Sequence, residues 1–127
     1  MLKLKSKVII GDNSGATKGE VIKILKPKNA KTGVLGSLLL VAVKRNIANS
    51  KIRKGSMSKA YYIRTNIKSK SYSSNLKWDE NRIILVKYGA KGPDLLPIGS
   101  RIKGPVSSVL RLLEGTKKII SLSKRSV

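Results

Sequence analysis

Leu38-Leu39-Leu40-Val41-Ala42-Val43 is a continuous apolar run with the length of a β-strand. A run of this kind, without polar alternation, is typical of a strand that is buried on both faces. The longest nearly apolar stretch, residues 33–43, is about half of the ~20 residues that a membrane-spanning helix needs. We therefore predict a buried strand that follows a turn marked by Gly33 and Gly36.

Shorter apolar segments lie on both sides of this run, separated by turn signals and basic loops. Residues 57–63 alternate with a period of two, which is the periodicity of a strand. The predicted strands cover residues 8–10, 21–25, 38–43, 57–63, 83–86 and 119–122. About six short strands with closely spaced turns predict a mainly β fold, a small closed β-barrel.

Three segments outside these strands complete the predicted architecture. Apolar residues recur at helical spacing after Pro105, and Gly115 suits a C-terminal cap, so a short C-terminal helix is expected at about 105–114. Residues 65–78 are polar and rich in Ser and Lys, which favours a projecting β-ribbon arm. Residues 89–99 hold three Gly and two Pro and are predicted to form a loop. No repeat or domain boundary interrupts the chain, so residues 1–127 are predicted to form a single domain.

The charge balance limits the possible classes of function. The chain has 28 Lys and Arg against 6 Asp and Glu, which gives a formal net charge of +22 over 127 residues. So large a surplus repels itself unless a polyanion neutralises it, which indicates a structural protein that binds nucleic acid. The chain has no His and no Cys, so it lacks the commonest general base and the commonest metal ligands. We therefore predict no enzyme activity, no cofactor and no metal site.

The basic residues form eight clusters in the loops between apolar runs rather than one block. Charge on several sides suits a protein embedded in folded RNA, where cations neutralise phosphates. With 21 Lys and 7 Arg, electrostatic anchoring should outweigh base recognition, although Arg64 and Arg101 are expected to make forked contacts with phosphate or a guanine edge. The predicted RNA-binding residues are Lys44, Arg45, Lys51, Arg53, Lys54, Arg64, Lys68, Lys70, Arg101, Lys103, Lys117 and Lys118.

Two acidic motifs have both a structural and a functional interpretation. Residues 12–15, Asp-Asn-Ser-Gly, favour a tight turn closed by side-chain hydrogen bonds over a phosphate-binding nest. Neighbouring residues on a strand point to opposite faces, so a catalytic dyad of Asp79 and Glu80 is disfavoured. Pairing of these carboxylates with Lys77 or Arg82 is the preferred interpretation.

Two aromatic residues lie in or beside the predicted arm. Tyr72 has basic neighbours, and two interpretations of it stay open: stacking on an exposed base, or a half-exposed place on a strand. Trp78 is predicted to pack at the base of the arm rather than to stack on RNA.

Several short segments, taken together and in order, resemble the universal large-subunit ribosomal protein fourteen family. The most specific is residues 97–106, Pro-Ile-Gly-Ser-Arg-Ile-Lys-Gly-Pro-Val. The other matching segments are residues 12–16, 21–25, 54–55, 59–60, 63–65, 79–81, 110–111 and 118–122. The matches extend from about residue 8 to residue 122, essentially the whole chain.

The resemblance implies a function and a set of partners. It implies a structural constituent of the large ribosomal subunit that contacts large-subunit rRNA and helps to form a bridge to small-subunit rRNA. It also implies that large-subunit ribosomal proteins nineteen and three are neighbours. A ribosomal silencing factor is a possible further partner at the subunit-interface residues Ser100 and Arg101.

The compartment is predicted from composition. Many Lys and Ile beside few Arg are typical of AT-rich genomes, and no presequence pattern opens the chain, so a mitochondrial ribosome is expected, with a plastid or bacterial one as the alternative. A DNA-packaging protein is the alternative function. An RNA-processing enzyme and a peripheral membrane binder are disfavoured, because clustered acids and an amphipathic basic helix are missing from the sequence.

Overall fold

The computed structural model describes residues 2–26, 28, 30–66, 78–88, 95–107, 110–111 and 116–123. In chain order the elements are β1 (Lys7–Ile10), β2 (Ala16–Lys26), β3 (Leu38–Asn46), β4 (Met57–Arg64), β5 (Arg82–Tyr88), β6 (Leu95–Pro97) and α1 (Lys117–Leu122). None of the helices in these ranges is long and apolar enough to cross a membrane.

The first five strands form a closed barrel. Each of β1 to β4 pairs antiparallel with the next strand, and β1 returns to pair in parallel with β5 at Ile9–Arg82 and Ile10–Ile83. Closure removes the free strand edges that an open sheet would leave. The predicted closed barrel of a mainly β fold is confirmed.

The edge of β5 that faces β1 has two partners along its length. Its first residues pair with β1, and its last residues, Val86 to Tyr88, pair antiparallel with the extra strand β6. Leu85 lies between these two pairings, at the point where the polypeptide partner changes.

Two apolar cores stabilise the fold, one on each side of the barrel wall. Alternate residues of β4 and β5 belong to different cores. Ala60, Tyr62, Ile83 and Leu85 face the barrel interior, while their sequence neighbours face outward. The outward-facing set packs against the C-terminal segment through Ile102, Val106, Leu110 and Ile119. The second half of β4 is therefore buried on both faces, although its sequence reads as a simple alternation.

The strand predicted at residues 119–122 is wrong, because these residues lie in α1. Ile119 is buried in the outer core and Leu122, three residues later, packs against it, which is helical spacing. The sixth strand is instead Leu95–Pro97, inside the segment predicted as a loop. It is only three residues long, and Pro97 is acceptable there because β6 pairs on one side only among the described strands.

The predicted short C-terminal helix is present, but it lies further along the chain than expected. Residues 105–107 are not helical, and Leu110 and Arg111 lie in a 3-10 turn closed by the Ser107 carbonyl, which accepts from the Leu110 N–H at 3.2 Å. The remainder of the helix predicted at 105–114 is outside the described residues. Most of the predicted arm, residues 67–77 with Tyr72, is outside them as well.

Candidate nucleic-acid interface

The Asp-Asn-Ser-Gly turn between β1 and β2 is built around the buried carboxylate of Asp12. Its Oδ1 accepts from the Ser14 N–H at 3.1 Å and from the Ser14 hydroxyl at 2.5 Å. Its Oδ2 accepts from the N–H of Leu85 at 3.2 Å. The carboxylate thus supplies a hydrogen-bond acceptor to the β5 residue that lies between the pairing with β1 and the pairing with β6. Burial raises the pKa of Asp12, and the hydrogen bonds from Ser14 and Leu85 oppose that rise. The prediction of a turn closed by side-chain hydrogen bonds is confirmed.

Asn13 fastens residues 99–101 to this turn. Its Nδ2 donates to Ser100 Oγ at 3.0 Å, its Oδ1 accepts from the Arg101 N–H at 3.0 Å, and its own N–H donates to the Arg101 carbonyl at 3.3 Å. A Cβ at Gly99 would lie 2.8 Å from Asn13 Oδ1 and 3.1 Å from Asp12 Cβ, so a larger residue there would displace the clamp. The clamp holds the exposed side chains of Ser100 and Arg101 at the surface.

Arg64, at the end of β4, points into the protein and is only 7% exposed. Its Nε donates to the Pro105 carbonyl at 2.7 Å, and its Nη2 donates to the Lys103 carbonyl. Gly104 between them has a φ of +80°, and a Cβ there would lie 3.0 Å from Arg64 Nη2. Burial, with a smaller effect of Arg82, lowers the pKa of Arg64. Arg64 therefore makes a forked contact with carbonyls of its own chain, and the contact with phosphate or a guanine edge that was predicted for it stays a prediction.

An open cleft beside Arg64 is lined by Arg64, Trp78, Asp79, Glu80 and Arg82. The guanidinium of Arg64 lies 5.5 Å from the centre of the Trp78 ring, and the backbone N–H of Trp78 donates to the Thr65 carbonyl at 3.0 Å. Arg82 donates to Glu80 Oε2 from Nη2 at 2.9 Å and from Nε at 3.2 Å. The predicted Glu80–Arg82 pairing is confirmed, and Trp78 packs against β4 beside the predicted arm, as expected.

The predicted RNA-binding residues fall into separate groups. The turn at residues 11–15 contacts the β3–β4 connection, since the Ile47 N–H donates to the Gly15 carbonyl at 2.7 Å. One group therefore surrounds this turn. Two of its members lie at the C-terminal end of β3, three lie in the β3–β4 connection, and the Asn13 clamp brings in Arg101 and Lys103. All seven are exposed: Lys44, Arg45, Lys51, Arg53, Lys54, Arg101 and Lys103. Lys117 and Lys118 are exposed on α1, and Lys68 and Lys70 lie outside the described residues.

Carboxylates neutralise few of these cations. In the described ranges the ion pairs are Arg82–Glu80 at 2.9 Å and Lys44–Glu20 at 3.8 Å. The same ranges hold no cluster of three or more residues that could ligate a metal ion. The arrangement presents an extended, mostly uncompensated positive surface.

Sequence reasoning did not find two features of this surface. Asn13 gave no signal as a clamp, because its partners are 87 and 88 residues away in the chain. Lys59 and Tyr88 form an exposed pair in which Lys59 Nζ lies 4.1 Å from the ring centre and donates to Tyr88 Oη at 2.5 Å. Only the register of β4 against β5, Lys59 opposite Val86, brings these two residues together.

A comparison with protein families decides what this basic barrel is. The model of the family described as "Ribosomal protein L14p/L23e" matches residues 1–127, the whole chain. The chain belongs to this family. The resemblance inferred from the short segments is confirmed, and membership of the L14p/L23e family makes the chain a large-subunit ribosomal protein that is associated with the ribosome.

Proposed function

We propose that this L14p/L23e protein is a structural constituent of the large subunit that binds large-subunit rRNA through the basic group around the Asn13 clamp. The observation that supports this most is the clamp itself. It fixes the main chain of Arg101 with two hydrogen bonds and joins the segment of Arg101 and Lys103 to the turn beside Lys51, Arg53 and Lys54. An arginine whose main chain is already fixed loses less conformational entropy on binding a phosphate than one on a free loop.

The Arg101 guanidinium is expected to make a charge-assisted, forked contact with rRNA. Arg101→Glu should reduce incorporation into gradient-purified large subunits, while Lys3→Glu, an equal charge reversal at another exposed site, should reduce it much less. Both variants are expected to fold, because both side chains are exposed. Equal incorporation of the two variants would contradict the role of Arg101.

Several of the other predicted contacts belong to the same proposal. The remaining predicted residues would neutralise rRNA phosphates: Lys44, Arg45, Lys51, Arg53, Lys54, Lys68, Lys70, Lys103, Lys117 and Lys118. Arg64 would act by holding residues 103–105 in place. Hydroxyl-radical or ultraviolet cross-linking on intact large subunits tests these contacts, and cross-links confined to other faces would contradict the assignment.

The interface and partner proposals follow from membership of the family. We expect Ser100 and Arg101 to face the subunit interface, where the protein would contribute to a bridge with small-subunit rRNA. We also expect ribosomal proteins nineteen and three as neighbours and a silencing factor as a partner of this interface. Site-specific cross-linking from residue 100 in whole ribosomes tests these expectations, and exclusive cross-links within the large subunit would contradict the bridge.

A mitochondrial ribosome is the proposed location, with a plastid or bacterial ribosome as the alternative. The proposal is supported by a composition of 21 Lys, 7 Arg and many Ile. Antibody detection in gradient fractions of purified mitochondria and of the cytoplasm would test it, and co-sedimentation with cytoplasmic large subunits alone would overturn it.

A further inference from the structure

The outer face of the barrel has one open end. At the end of β4 and the start of β5 this face is covered, because Tyr61, Ile63 and Ile84 pack against the C-terminal segment. Toward the start of β4 and the end of β5 the covering ends. Met57 is 64% exposed there and Tyr88 is 59% exposed.

The strand register places these two exposed residues side by side. Lys59 pairs with Val86, and continuing the antiparallel register by two residues sets Met57 opposite Tyr88 on the same face. On the other side, Lys59 is opposite Leu40 and Met57 is opposite Ala42. We call the surface made by Met57, Lys59 and Tyr88 the Tyr88 patch.

The Tyr88 ring is held in place on one face and left accessible on the other. The Lys59 ammonium lies 4.1 Å from the ring centre and donates to the hydroxyl at 2.5 Å, which restricts the rotation of the side chain. This hydrogen bond and the positive charge of Lys59 lower the pKa of Tyr88, and the charge of Lys26 adds to the effect. An exposed aromatic ring is thus already ordered before any partner binds.

The charges around Tyr88 indicate which class of partner this surface would bind. On this face the registers place Lys23 in the row of Lys59 and Lys26 in the row of Tyr61, both on β2, three strands from Tyr88. Glu20 lies on the same strand, in the row of Met57, and its carboxylate is 3.8 Å from the Lys44 ammonium. A ring that offers a π-face among lysines suits an unpaired nucleobase whose neighbouring phosphates need cations. An apolar or acidic protein surface would satisfy either the ring or the lysines, but a nucleotide satisfies both.

We propose that Tyr88 is a stacking platform for an unpaired RNA base, with Lys59 fixing the ring and with Lys59 and the other lysines of this face neutralising the adjacent phosphates. This proposal rests on the proposed rRNA-binding function. It deepens that function by adding a site where a base, rather than the phosphate backbone alone, is contacted.

The test compares two probes of equal length and charge, single-stranded oligoadenylate and the same strand with abasic residues. Stacking on one aromatic side chain is worth about 1–3 kcal/mol, so Tyr88→Ala should weaken binding of oligoadenylate by about fivefold or more. It should leave the abasic strand within about twofold of the wild-type protein. Tyr88→Phe keeps the ring and should retain most of the affinity.

Ile47→Ala is the matched control, since Ile47 is an exposed apolar residue of similar exposure, 57%, on the β3–β4 connection. It should not change the affinity for either strand. Equal losses of affinity for both strands in Tyr88→Ala would overturn the proposal, because the effect would then come from the lysines. Unchanged affinity in Tyr88→Ala would also overturn it, as would an acidic peptide that binds through Tyr88 when RNA does not. Failure of the wild-type protein to bind either strand or large-subunit rRNA would instead overturn the proposed function.

Discussion

The carboxylate of Asp12 takes the place of a strand partner. It accepts the N–H of Leu85 at the one point where β5 changes from pairing with β1 to pairing with β6, and it lies only 3% exposed. Replacing it with an apolar side chain would leave a buried backbone donor without an acceptor. Such a donor is expensive, because the water that it bonds in the unfolded chain is lost on folding.

Asp12→Ala is therefore expected to lower the free energy of unfolding by about 1–3 kcal/mol, measured by urea denaturation. Asp12→Asn should also destabilise the protein, since an amide has one acceptor oxygen while the carboxylate accepts on both. Asp79→Ala removes an exposed carboxylate and is the matched control, expected within about 0.5 kcal/mol of the wild type. A loss at Asp12 no larger than at Asp79 would show that the carboxylate does not serve β5.

Tyr62 makes the free energy of unfolding depend on pH in the alkaline range. It is buried in the barrel interior, and its hydroxyl donates to Asn81 Oδ1 at 2.6 Å. Burial raises the pKa of Tyr62 from 10.0 to about 12, against the opposing hydrogen bond with Thr65. The unfolded chain thus releases the phenolic proton at lower pH than the folded protein does. The stabilisation is complete below pH 10 and is lost as the pH rises toward about 12.

Tyr62→Phe tests this difference. At pH 8 the variant should be less stable by about 0.5–1.5 kcal/mol, because the hydrogen bonds of the hydroxyl with Asn81 and Thr65 are lost, while Asn81 Oδ1 still accepts from the Asn66 N–H at 3.0 Å. A pKa difference of this size corresponds to roughly 3 kcal/mol, so the wild-type advantage should vanish near pH 11 and then reverse. Comparing the two proteins cancels the titration of the lysines. A wild-type advantage that stays constant across this pH range would contradict the raised pKa.

At the scale of elements, Arg64 joins β4 to the segment that carries the proposed rRNA contact. Its two donors reach the Lys103 and Pro105 carbonyls, and Asn13 holds the same segment two residues earlier, at Arg101. The segment that was most specific in sequence, residues 97–106, is therefore held at Arg101 and again at Lys103 and Pro105. This arrangement explains why glycines at 99 and 104 flank Arg101: each lets a polar side chain approach the backbone closely.

Arg64→Lys keeps the charge but has a single ammonium that cannot span two carbonyls. We expect it to lower the free energy of unfolding by about 1.5–3 kcal/mol and to speed amide hydrogen exchange in residues 99–105. Arg82→Lys is the control, because its pair with the half-exposed Glu80 should contribute less than about 1 kcal/mol. Unchanged exchange in residues 99–105 would show that Arg64 does not hold this segment.

The elements also show how far the sequence could predict the fold. Five strands were found because each buries at least one face and keeps a strand period or an unbroken apolar run. Residues 119–122 were misassigned because a four-residue apolar run fits a strand or a helix equally well, and only packing against the outer core decides between them. Leu95–Pro97 was missed because its partner, the free length of β5, exists only once the barrel has closed.

At the scale of the whole molecule, the two cores and the surface charge are separate parts of one design. Aliphatic side chains and two tyrosines, Tyr61 and Tyr62, fill the barrel interior and the outer core. Most of the lysines and arginines in the described ranges are left at the surface, in loops and on the exposed faces of strands. The exposed cations could be predicted one by one, since basic loop residues are almost never buried. Their grouping around the Asn13 clamp, and the inward turn of Arg64, could not be predicted, because both depend on contacts between distant parts of the chain.

The salt dependence of rRNA affinity measures how many phosphates the basic surface neutralises in total. Nine of the predicted contacts are exposed in the described ranges, and if each neutralises one phosphate, the plot of log affinity against log salt should fall with a slope of about −8. Lys51→Ala or Lys54→Ala should each make the slope shallower by about 1, whereas Lys3→Ala should change it much less. Tyr88→Ala should lower the affinity and leave the slope unchanged, because the ring carries no charge. A slope near zero, or one that responds equally to all four substitutions, would mean that phosphate neutralisation is not what this surface does.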